Sequence, residues 1–232
     1  MNSSRRAMLL VGSPIKVKST SDSLGTYLLN ALQDNRFEVN KVHVSQLVNF
    51  DGTESSACLQ CLTDIDNTDV FVLSFPLFID CLPAITIRAL EIIGEHRRGL
   101  SHAKRPLMAA IANSGFPEPH QNSAALDMCR CFAAEAGFDW AGGVAVGGGA
   151  LIQGYPVKKV DFLYRELTKT LRLLASVLAQ NQPLHIEPQV YQISCRIPAG
   201  ALILINTILA KLVAKTTGIG EGLYDQPFGT GS

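Results

Sequence analysis

Neither sign of charge is in excess in this chain: 20 Lys and Arg balance 20 Asp and Glu, and only 17% of the residues are charged. With no net charge and no long basic run, nucleic acid is excluded as a general partner. The densest basic stretch, from His96-Arg97-Arg98 to Lys104-Arg105, reads as the cationic end of a helix followed by a solvated loop, which the helix dipole favours. A secretory leader is not read either, because the N-terminus is polar and the first apolar run, Ala7-Met8-Leu9-Leu10-Val11, is short. Cys58, Cys61, Cys81, Cys129, Cys131 and Cys195 therefore read as reduced thiols of a cytoplasmic protein, not as a disulfide framework. Cys58-x-x-Cys61 has metal-like spacing, but no third and fourth ligand follow, so neither zinc nor an iron–sulfur cluster is expected. No Ser–His–Asp constellation stands out.

What is present is core material: 47% of the 232 residues are hydrophobic. Ala7-Met8-Leu9-Leu10-Val11 reads as a buried strand, and Leu24, Tyr27, Leu28, Ala31 and Leu32 repeat at helical spacing after it. A half-exposed strand is expected over 37–44, and a loop with a short helix over 49–68. Asp69 to Phe75 is apolar on both faces, as a central parallel strand must be. Pro83 opens a helix carrying Ile85, Ala89, Ile92 and Ile93. Further strands are expected over 106–112 and 140–146, with helices over 121–136 and 157–180. Strands alternating with helices imply a three-layer α/β/α fold around a five-stranded parallel sheet. Residues 1–182 form that domain, and 183–232 form a C-terminal helical extension. Within the extension, Ala199 to Lys215 reads as a strongly apolar helix too short and polar to span a bilayer. It is expected to dock on the domain or against a second subunit, with peripheral membrane contact as the alternative.

The chemistry-bearing stretch is Gly12-Ser13-Pro14-Ile15-Lys16-Val17-Lys18-Ser19-Thr20-Ser21, where a buried strand turns into a helix. Such a turn offers backbone N–H groups and a positive dipole end to an anion, and Ser13, Ser19, Thr20 and Ser21 add hydroxyls. A P-loop is excluded because its second glycine is Val17 here. The dinucleotide fingerprint is excluded because Pro14 and Val17 replace its glycines. A hydroxyl cradle for one terminal phosphate monoester survives. The competing reading is a plain capping box, with Ser19 at N-cap and Asp22 at N3.

Taken with Ser74-Phe75-Pro76-Leu77-Phe78-Ile79-Asp80-Cys81-Leu82-Pro83 after the third strand and Asn113-Ser114-Gly115-Phe116 after the fourth, residues 7–154 resemble the NADPH-dependent FMN reductase branch of the flavodoxin superfamily. The resemblance implies strand order 2-1-3-4-5 and noncovalent FMN. Its phosphate would lie on Ser13, Lys18, Ser19, Thr20 and Ser21, and its ring along Pro76, Leu77, Phe78 and Ile79 and beside Asn113, Ser114, Gly115 and Phe116. NAD(P)H would be the co-substrate, a flavin, quinone or similar small molecule the acceptor, and a homodimer the assembly. Backbone N–H groups of 77–79 and 114–116 would meet the ring's polar edge, and no side chain is expected to be catalytic. Ile15 departs from the arginine common at that position. Asp80 reads as a helix-start cap ahead of a residue near the flavin, Glu118 and His120 as exposed loop residues ahead of contacts to a nicotinamide or acceptor, and Gly142-Gly143 and Gly147 to Gly149 as turns or points of close approach.

Overall fold

A computed structural model describes residues 4–15, 18–100, 104–164, 166–180 and 190–216. The strands are β1 (Arg5–Val11), β2 (Phe37–His43), β3 (Val70–Pro76), β4 (Leu107–Asn113), β5 (Asp139–Val146) and β6 (Val190–Ile193). Between and after them run α1 (Thr20–Asp34), α2 (Cys58–Asp66), α3 (Ala84–Arg98), α4 (Ser123–Glu135), the single turn α5 (Val157–Val160), α6 (Leu167–Ala179) and α7 (Ala199–Thr216). All neighbouring strands pair in parallel, in the order β2-β1-β3-β4-β5-β6.

The two-residue period of the strands sorts the core into halves. Met8, Leu10, Phe71, Leu73, Phe75, Met108 and Ala110 pack with α2, α3 and α4 on one face. Ala7, Leu9, Val11, Val70, Val72, Ala109 and Ile111 pack with α1 and α6 on the other. The helix α1 lies so close to β1 that a Cβ on Gly25 would come 2.7 Å from Leu9.

The structure adds a sixth strand to the five expected. Val190–Ile193 pairs with β5 from within the stretch assigned to the extension, and the first compact unit accordingly ends at Arg196. The helix expected over 157–180 is interrupted. Tyr164 leaves helical geometry at φ −120°, becomes fully buried and donates its hydroxyl to Gly148 O at 2.8 Å. Asp161 then restarts the helix by accepting from Thr168 N–H at 3.0 Å and its hydroxyl at 2.9 Å.

His96, Arg97 and Arg98 close α3 as its cationic end, and within that end Arg97 is buried, 2% exposed. Its guanidinium is held by Asp66 at 2.8 Å and by the carbonyls of Ala136 and Gly137, and lies 4.3 Å from the Phe138 ring centroid. All six cysteines are free. Among the described residues no cluster of three or more His, Cys, Asp or Glu is placed to hold a metal ion, and no helix is long and apolar enough to cross a membrane.

Candidate functional site

At the carboxyl end of β1, Gly12 N–H donates to Ser74 O at 2.8 Å before the chain turns away. Side chains are excluded at this point, because a Cβ on Gly12 would lie 2.9 Å from Thr86, whose hydroxyl donates to Gly12 O. The turn closes through Lys18 at φ 56°, a left-handed conformation that costs a non-glycine residue about 1–2 kcal/mol. Ser19 is the N-cap of α1, its Oγ accepting from Asp22 N–H at 3.0 Å. The reciprocal half of the capping box is not made. Instead, the Asp22 carboxylate takes Lys41 Nζ at 2.8 Å and the Thr26 hydroxyl at 3.1 Å. That pairing offsets a negative charge beside the turn.

The N–H groups of Ser13, Lys18, Ser19, Thr20 and Ser21 have no acceptor among the described residues. Ser13 Oγ accepts from Ile15 N–H at 3.2 Å, so Ser13 and Ser19 both keep a hydroxyl proton to donate. Thr20 is engaged, its hydroxyl donating to Gly149 O at 2.9 Å. Ser21 is turned toward the sheet, where its Oγ accepts from Asn113 Nδ2 at 2.8 Å and its carbonyl from the Ser74 hydroxyl at 2.7 Å. Open donors gathered at the first turn of a long helix suit an anion.

Two further loops rise beside this turn. After β3, Leu77 N–H donates to Asn113 O at 2.7 Å. Phe78 and Cys81 then exchange backbone bonds of 2.8 and 3.1 Å around Ile79 at φ 48° and Asp80 at φ 60°. This is a type I′ turn. Its tip is apolar and open, with Ile79 99% and Phe78 49% exposed. Asp80 lies in that tip and caps nothing, since Pro83 takes the N-cap position of α3 without a side-chain bond.

After β4, Ser114 N–H stays with the sheet, donating to Val146 O at 3.0 Å, and Phe116 is exposed. The loop after β5 is laced to its neighbours: Gly148 N–H donates to Phe116 O at 2.6 Å and Gly149 N–H to Ser114 O at 2.7 Å. A Cβ on Gly154 would come 2.0 Å from Lys18 O, so this loop also seats against the turn that follows β1. Glu118 precedes a turn of 3₁₀ helix that contains His120, and neither side chain has a bonded partner among the described residues.

Of the ring-edge donors expected from sequence, the N–H groups of Leu77, Phe78 and Ser114 are thus engaged within the fold. Those of Ile79, Gly115 and Phe116 have no acceptor among the described residues. Four positioning residues escaped the sequence reading: Ser74, Thr86, Asn122 and Gly154. Ser74 had a signal, as a lone hydroxyl in an otherwise apolar central strand. Asn122 is fully buried, donates to Ser114 Oγ at 3.3 Å and Pro119 O at 3.0 Å, and leaves its Oδ1 without a partner. No local pattern announces that role.

No protein-family model and no curated protein matches the sequence. Solved structures do match. An oxidoreductase from Corynebacterium diphtheriae superposes with a TM-score of 0.55 at 15% identity, covering 77% of this chain and 97% of its own. An NADH:FMN oxidoreductase superposes at 0.55 and 16% identity, covering 81% and 95%. A flavodoxin from Streptococcus pneumoniae superposes at 0.54 and 12% identity, covering 76% and 99%. With the strand order and the alternation of strands and helices, these likenesses establish that the chain has the flavodoxin-like fold.

Proposed function

We propose that this protein is an FMN-dependent oxidoreductase that draws electrons from NAD(P)H and passes them to a flavin, quinone or similar small acceptor. The observation that carries the reading is that the N–H groups of Ser13, Lys18, Ser19, Thr20 and Ser21 have no acceptor among the described residues, at the carboxyl edge of a parallel sheet where such folds bind ligands. The residues fit a phosphate monoester: Ser13 and Ser19 offer hydroxyl protons, Lys18 supplies a cation, and the one nearby carboxylate, Asp22, is paired with Lys41.

When bound, FMN supplies the hydride and electron transfer itself. The chain's part is to hold and tune it. N–H groups of Ile79, Gly115 and Phe116 are donors for the polar edge of a ring, where they would stabilise negative charge that develops on reduction. Phe78 and Phe116, both exposed, offer apolar surface from the loops after β3 and β4. Proteins named NADH:FMN oxidoreductase and flavodoxin superpose almost equally well, so turnover is what separates an enzyme from a carrier.

The test is a visible spectrum of the pure protein before and after FMN is added, followed by anaerobic NADPH or NADH. Flavin absorption that co-elutes with the chain and bleaches with nicotinamide supports the enzyme. Bound flavin that bleaches only with dithionite assigns the carrier, and no retained flavin overturns the proposal.

A further inference from the structure

The helix α7 takes no part in the proposed chemistry, and its surface points to a different task. Ile203, Leu204, Ile205, Ile208, Leu212 and Val213 are all exposed, by 36% to 60%. At about 3.6 residues per turn these positions fall on most sides of the helix. A surface of this kind marks a contact. Three of the polar residues, Thr207, Lys211 and Lys215, recur every fourth position and so stack in a row, while Asn206 stands outside it. No acidic residue occurs between Ile197 and Thr216.

Two details fit apolar surroundings. Thr207 donates its hydroxyl to Ile203 O at 2.8 Å and Thr216 to Val213 O at 2.9 Å, so both hydroxyl protons are satisfied inside the helix. The lysines sit in the C-terminal half, where the dipole favours cations, and their long stems let the ammonium groups reach polar surroundings. A second copy of the chain would cover one side of the helix and leave the remaining apolar side chains in water. The interfacial zone of a bilayer covers most sides and leaves one row to the head groups, and cations select anionic ones. Over its described residues the helix is not long and apolar enough to cross a membrane.

We propose that α7 lies in the interface of an anionic lipid bilayer, with the Lys211–Lys215 row toward the head groups. The test is flotation of the full-length chain with vesicles of phosphatidylcholine alone and of phosphatidylcholine mixed with phosphatidylglycerol. Flotation with the mixed vesicles, weakened by salt, is expected. The double change Lys211→Gln and Lys215→Gln should lower partitioning about 30-fold, since each lysine near such a surface contributes about fivefold. Leu204→Asp with Ile208→Asp should abolish flotation with both vesicle types. The glutamine variant keeps every apolar side chain, so it decides the matter if the aspartate variant does not fold. A wild-type chain that floats with neither vesicle, or a glutamine variant that floats undiminished, overturns the proposal. So does a wild-type dimer that ignores lipid and is split by the aspartate changes, which would assign the helix to a second copy.

Discussion

Asn113 at the end of β4 donates its side-chain amide to Ser21 Oγ at 2.8 Å and to Phe75 O at 2.8 Å, tying the first turn of α1 to the neighbouring strands. Asn113 and Ser21 are both buried. Asn113→Ala should therefore lower the unfolding free energy by about 1–3 kcal/mol, because it strands buried acceptors. A double-mutant cycle with Ser21→Ala, read by urea denaturation, should give a coupling of about 0.5–3 kcal/mol. Strictly additive effects would show that the bond does not exist in solution.

Ser19 separates a helix cap from a phosphate ligand. Both readings predict harm from Ser19→Ala: about 1 kcal/mol of stability for the lost cap, and weaker FMN binding. Ser19→Asp separates them, because aspartate caps as well as serine while placing a negative charge at the open N–H groups. The expected outcome is an unchanged melting temperature with FMN affinity reduced at least tenfold. Equal FMN affinity in the wild type and the Asp variant would move the phosphate elsewhere.

Cys61 links the reduced-thiol reading to stability at high pH. Burial, then Asp64 and Cys58, pushes its thiol up from an ordinary 9.0 to about 11. Cys58 is raised as well, by burial and then by Glu54. The folded protein keeps the Cys61 proton where the unfolded chain releases it, so this contribution is complete below pH 9 and is lost as pH rises toward 11. Cys61→Ala should make the slope in that window shallower by up to about 1.4 kcal/mol per pH unit, with the share of Cys58 and the other buried groups remaining. Alkylation at pH 8 should label the exposed Cys131 well before Cys58, Cys61 or Cys129. Early loss of Cys61 to the reagent would contradict the buried thiol.

The fold was legible where burial is written locally. Asp69 to Phe75 and 106–112 read as strands because both of their faces are apolar, and Pro83 marked the start of α3. Val190–Ile193 was missed because it is a four-residue edge strand just beyond Pro183 and Pro188. The break before α6 was missed for another reason: Tyr164 is drawn inward by Gly148, a distant carbonyl that no helical period registers. The helix end at His96 to Arg98 was legible, but the burial of Arg97 was not, since its partner Asp66 lies on another helix. At the candidate site, the turn from Gly12 to Ser21 could be read from its hydroxyls. Which N–H groups remain open could not, because that depends on pairing between strands.

The turn at Ile79 and Asp80 is the least expected feature of the site, and the easiest to test. Type I′ turns favour Asn-Gly because both central residues need positive φ, and a β-branched residue resists it. Ile79 nonetheless holds φ 48° while its side chain is 99% exposed, so packing does not compensate for the strain. The double change Ile79→Asn with Asp80→Gly installs the favoured pair and should stabilise the fold by about 1–3 kcal/mol. At roughly 2–4 °C per kcal/mol for a chain of this size, the melting temperature should rise by several degrees. If the strain is kept because this tip serves the ligand, the same variant should bind FMN more weakly or transfer electrons more slowly. A melting temperature that stays the same or falls would mean that the Phe78–Cys81 turn is not formed in solution. A more stable variant with wild-type binding and turnover would separate the strain from function.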